Sequence, residues 1–147
     1  GKEQSAFKRA AAAALLRAMT DSLVDLGVER MVIMGDFNDE WFDPSLKEVL
    51  AAGEIGDESF LVNLMSELPA QSGSHRYRGH WAYLDQVIIS RPLLKEVSDF
   101  GVHRADFLLE RDDRNPGFKP YRSFRGDFYQ GGFSDHLPIF VRFKANP

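Results

Sequence analysis

Apolar positions recur along the first part of the chain at steps of three and four: Phe7, Ala11, Leu15, Met19, Leu23 and Leu26. This spacing predicts a helix over 2–26 with one apolar stripe, expected to be its packing face. The alanine run 10–14 favours the same conformation, and Gly27 suits a helix stop. Four apolar residues in a row, Met31 to Met34, predict a short buried strand over 30–34. Asp43 and Pro44 read as the N-cap and first position of a second helix, closed by Gly53. The apolar run 60–65 is too short for periodicity to separate helix from strand.

The strongest strand signal is 83–90, with Val87, Ile88 and Ile89 inside it. A weaker strand is expected within 99–109 and a last one over 138–144. Residues 71–74 read as a loop. So do residues 111–130, rich in Gly, Pro and charge, and loops of that length are often functional. The order of elements predicts one α/β or α+β domain over 1–147, layered around a mixed sheet.

The totals bound this picture. A chain of 147 residues, 44% hydrophobic and 27% charged, can bury a core and is not compositionally disordered. With no cysteine, disulfides and thiolate ligands are excluded, so a metal must take carboxylate, amide or imidazole donors. The net charge of -4 argues against a broad basic surface but leaves room for a local basic patch. No run of apolar residues reaches the length of a membrane span, and no signal peptide is evident. The compartment stays open between cytoplasmic and exported. A start at Gly-Lys-Glu-Gln suggests a processed or truncated piece of a longer protein.

Three stretches carry chemistry. In "GDFN", Asp36 and Asn38 are two apart and share a face if the backbone stays extended, with Phe37 turned away. The same residues also suit an Asx turn leading into the next helix. In "YLDQVIIS", Asp85 lies on the buried pattern of the strongest strand, and a buried carboxylate requires a partner. In "GGFSDHLPIF", His136 supplies a candidate: one ring nitrogen donates to Asp85 while the other faces a substrate, leaving Asp135 for a metal or a water. The other histidines, His75, His80 and His103, lack such a setting and read as surface or loop residues, with His75 the expected exception.

Asp36-Phe37-Asn38, Asp85 and Ser134-Asp135-His136-Leu137-Pro138 occur in an order that resembles the endonuclease/exonuclease/phosphatase superfamily. "SHRYRGHWAYLDQVIIS" and "GGFSDHLPIF" are similar to its bacterial members. The resemblance implies a phosphoric ester hydrolase, with in-line attack of water on phosphorus assisted by Mg2+ or Mn2+. It implies catalytic roles for Asp36, Asn38, Asp85 and His136, and a metal site using Asp36 and Asp135. Tyr77, Arg78, Trp81 and Arg122 are candidate substrate contacts, weighed against cross-strand packing for the first three. For Arg122, as for Arg125, a solvated charged loop is the other reading. A non-catalytic interaction module that keeps the scaffold is the alternative to an enzyme.

The resemblance covers only the second half of that family's domain. The implied fold is half of a four-layer αββα sandwich, a mixed, mostly antiparallel sheet with helices on one face. The implied partners are a phosphoester substrate (nucleic acid, phospholipid or sugar phosphate) and the missing N-terminal half. An open sheet face is expected to leave an apolar patch that drives self-association.

Overall fold

The computed structural model describes residues 3–145. Helix α1 (Ala6–Asp25) comes first, then strand β1 (Val32–Asp36) and one π-type helical turn at Ser45–Val49. Strands β2 (Ala52–Gly53) and β3 (Leu61–Asn63) precede the hairpin β4 (His75–Tyr77) and β5 (His80–Ala82). The long strand β6 (Asp85–Ser90) leads to β7 (Val97–Val102). Two small hairpins follow, β8 (Leu109–Arg111) with β9 (Phe118–Pro120) and β10 (Phe124–Arg125) with β11 (Phe128–Tyr129). Strand β12 (Ile139–Phe143) ends the described chain.

The main sheet has the order β1-β6-β3-β2. Its β1–β6 and β3–β6 pairs are antiparallel and its β2–β3 pair is parallel, so it is mixed and mostly antiparallel. Val87, Ile88 and Ile89 are wholly buried because β6 is covered on both faces. Each contributes roughly 1.5–3 kcal/mol by leaving water, which makes β6 the anchor of the sheet. On one face Ile88 packs with Leu46, Leu50, Leu61 and Ala13 of α1. On the other, Val87 and Ile89 join Val62, Met65 and Leu93, with Phe100, Val102, Ile139 and Val141 of the β7–β12 ribbon against them. The layers are therefore helix, sheet and ribbon.

Several sequence expectations change here. The apolar stripe of α1 is not its packing face: Phe7 is 68% exposed, Leu15 64% and Leu26 80%. The helix instead buries Ala13 and Thr20 and half-buries Leu16, the face that packs against the Ser45–Val49 turn. The 31–34 run is not buried throughout, since Val32 and Met34 are each 43% exposed. Among the described residues β1 has a sheet neighbour on one side only, and the ribbon does not cover its inner face. The expected second helix shrinks to one turn. Asp43 turns its carboxylate back to the Glu40 N–H, Ala51 adopts φ 57, and Ala52–Gly53 joins the sheet. The stretch 111–130 is not a plain loop but holds strands of both small hairpins. The run 60–65 is strand and then a 3-10 turn.

Candidate active site

Strand β1 ends where β6 begins, and the register sets Asp36 directly opposite Asp85. Facing residues of an antiparallel pair share a side of the sheet, so both carboxylates stand on one wall. Beyond Asp36 the backbone leaves the sheet. Asn38 has φ 53, and its N–H donates to Asp36 Oδ1 at 2.8 Å while its side-chain amide donates to Asp36 Oδ2 at 3.3 Å. Asn38 thus meets Asp36 through an Asx turn, not by extended alternation, and Phe37 is released to pack under α1.

The Ser134-Asp135-His136 turn closes the wall. The His136 N–H donates to Ser134 Oγ at 3.0 Å, and Leu137, 2% exposed, plugs the turn into the core with its N–H on the Ser74 carbonyl at 2.7 Å. This anchorage brings His136 Nδ1 to 2.6 Å from Asp85 Oδ2. With Asp85 ionised, Nδ1 carries the proton, and Nε2 takes no part in that bond. One ligand atom from each of Asp36, Asp85 and His136 lies within 4.8 Å of the others.

The pair is electrostatically coupled. The hydrogen bond to Asp85, and then its charge, hold the His136 pKa above the ordinary value against the cost of burial. Burial pushes Asp85 up, but hydrogen bonds from His136 and Ser74, with the charges of His136 and His75, outweigh it and leave the carboxyl below its ordinary range.

His75 completes the group. It bridges to His136 across an isolated β-pair, with ring centroids 4.6 Å apart. Burial, then the neighbouring His136 charge, lower its pKa, partly offset by Asp135. Asp135 is exposed and meets Arg122 Nη2 at 3.6 Å.

Hairpin β4–β5 decides which aromatic side chains reach this wall. Its turn, Arg78-Gly79, has positive φ at both residues, 51 and 86, as a two-residue hairpin requires. His75 and Tyr77 lie on one side of the hairpin, and both line a cleft of about 990 Å³ beside α1, with Asn38, Glu40 and Lys8. The side chains of the cross-strand pair Arg76 and Trp81 lie on the opposite side. Trp81 packs there under Arg104, whose guanidinium sits 4.1 Å from the ring. The structure thus places Trp81 in contact with Arg104, away from the side that carries His75 and Tyr77. Tyr77, Arg78 and Arg122 instead border a second depression of about 620 Å³, with Arg114, Lys119 and Arg125. It carries more cations than acids, although Asp112 and Asp113 lie within it. This is the local basic patch that the net charge leaves room for.

A sequence profile of the endonuclease/exonuclease/phosphatase family matches residues 1–145. The chain belongs to that family. No curated protein and no solved structure matches the chain significantly. Endonuclease/exonuclease/phosphatase proteins are phosphoesterase and nuclease-type hydrolases that typically use a divalent metal. The donor chemistry here fits such an ion: Asp36 offers an exposed carboxylate within 4.8 Å of ligand atoms of Asp85 and His136, with the Asn38 amide beside it. Among the described residues no helix is long and apolar enough to cross a membrane.

The support behind this candidate site is not legible in the sequence. Gln86 is wholly buried next to Asp85. Its amide donates to the carbonyls of Asp39, at 2.8 Å, and Tyr83, and it accepts from Asn63 at 2.9 Å. Asp39 in turn accepts from Arg9 of α1 at 2.6 Å and from Ser45. This network pins the turn after β1 to the sheet and the helix. The hint in the sequence is a glutamine directly ahead of the apolar run Val87 to Ile89.

Proposed function

We propose that this chain carries one wall of a divalent-metal-dependent phosphoric ester hydrolase, and is an incomplete part of the catalytic domain. The Asp85–His136 hydrogen bond, set beside Asp36, carries the reading. In it, Asp36 orients a water for in-line attack on phosphorus and takes its proton. The Asn38 amide and His136 Nε2 donate to the phosphoryl oxygens as negative charge builds on them. Asp85 fixes the ring and tautomer of His136 and stabilises its protonated form. Asp36 and Asp135 hold the metal, Mg2+ or Mn2+, which when bound supplies charge against the phosphoryl oxygens. Tyr77, Arg78 and Arg122 sit where they meet further phosphate or the body of a nucleic-acid, phospholipid or sugar-phosphate substrate.

The open inner face of β1 and the exposed stripe of α1 support the second part of the proposal. Val32, Met34, Leu15 and Met19 are each more than 40% exposed, and among the described residues β1 has a free strand edge. The remainder of the catalytic domain packs against β1 on the side of Val32 and Met34, or a second copy of the chain when that remainder is absent.

The test uses the longer parent protein and its His136→Ala variant, assayed with Mg2+ on bis(p-nitrophenyl) phosphate. Loss of a phosphoryl-oxygen donor is expected to lower kcat by about 10²–10³. Equal and negligible turnover by both proteins over a range of phosphoesters would favour a non-catalytic interaction module.

A further inference from the structure

His136 has a second set of neighbours, of which His75 has no part in the proposed hydrolysis. One ligand atom from each of His75, Asp135 and His136 lies within 4.8 Å of the others, a group separate from the Asp36 side. Two imidazoles and one carboxylate are a poor set for magnesium, which prefers oxygen, and a good one for zinc-like ions. Histidine ligands in such centres usually donate their other ring N–H to a carboxylate, which fixes tautomer and orientation. His136 already does so through Nδ1 to Asp85. His75 is held by the β-bridge to His136 and by pairing with Ala82 in its hairpin, so both rings are placed by backbone. Asp135 is paired only at 3.6 Å to the half-exposed Arg122, whose charge an ion could replace.

We propose that His75, Asp135 and His136 form a four-coordinate site for Zn2+ or Co2+, with a water or a substrate oxygen as the fourth ligand. Occupancy takes up His136 Nε2 and Asp135 together. On the proposed function, and resting on it, such an ion inhibits hydrolysis by removing a phosphoryl-oxygen donor and an acid of the magnesium site. Binding itself does not depend on that reading.

The experiment is therefore a binding measurement on this chain. Co2+ is titrated while the visible spectrum is followed, in the wild type and in His75→Gln and Asp36→Asn. The expected result is a saturable, intense four-coordinate spectrum at one ion per chain, lost in His75→Gln and kept in Asp36→Asn. In parallel, Zn2+ is added and the ring NMR signals of all four histidines are recorded in the wild type. Those of His75 and His136 should shift with saturation, while those of His80 and His103 stay in place. This arm needs no substitution and stands if a variant misfolds. Absence of saturable binding, a spectrum that survives in His75→Gln, or ring shifts confined to His80 or His103 would overturn the proposal. If hydrolysis fails to appear in the parent protein while these signals appear, only the inhibitory consequence is lost.

Discussion

At the scale of single residues, the site is a set of charges whose protonation the fold controls. Asp85 is held below its ordinary 3.8, so it stabilises the folded state above that value and ceases to as pH falls through its folded pKa. His136 is held above its ordinary 6.5, so its contribution is full below 6.5 and is lost as pH rises through its folded pKa. The pair is therefore worth most between 3.8 and 6.5. The melting-temperature gap between wild type and Asp85→Asn should be widest at about pH 5, and narrower at about pH 3 and pH 9. A gap that does not vary with pH would show that the pair is not coupled. Asn38 gives a second handle, because its φ of 53 strains other side chains. Asn38→Ala should cost about 1–2 kcal/mol in urea unfolding, while Asn38→Gly, which removes the same amide, should cost clearly less. On the proposed function both variants should lose turnover alike, which separates the chemical role of the amide from the backbone preference.

At the scale of elements, α1 shows how a regular pattern can be read on the wrong face. The heptad-like stripe correctly predicts a helix, and the helix runs over Ala6–Asp25. Its packing face, though, is decided by what lies beneath: Ala13, 4% exposed, sits in the cluster with Leu46 and Ile88. Ala13→Leu should destabilise by about 1–3 kcal/mol through overpacking. Leu15→Glu, on the exposed stripe, should stay within about 0.5 kcal/mol. Chemical denaturation of the two variants decides the orientation, and the reverse order of costs would restore the stripe as the core face. Strands β6 and β12 were legible because their apolar runs are strong and their bounds clear. The hairpins within 111–130 were not, because their strands are only two or three residues long and are held by contacts distant in sequence. Arg76 donates to the carbonyls of Phe118 and Pro116, each at 2.7 Å, and pairs with Asp112. No local pattern encodes such a tie.

At the scale of the whole molecule, the expectation of one bare sheet face is met only over part of the sheet. The β7–β12 ribbon covers β6, while β1 keeps Val32 and Met34 open. Sedimentation of the isolated chain should show concentration-dependent association and binding of a hydrophobic dye, both reduced in a Leu15→Glu/Met34→Glu double variant. A strictly monomeric profile with no dye binding would remove the proposed docking face. The isolated chain should also hydrolyse bis(p-nitrophenyl) phosphate little or not at all with Mg2+. The sequence by itself determined the mixed α and β class, the anchoring strand and the three motifs, because each is written in adjacent residues whose side chains alternate or cap locally. Only the tertiary structure decided that Asp36 faces Asp85, that His136 lies 2.6 Å from it, that His75 joins them and that Trp81 does not. Those outcomes depend on strand register and hairpin facing, where a shift of one residue sends every side chain to the other side.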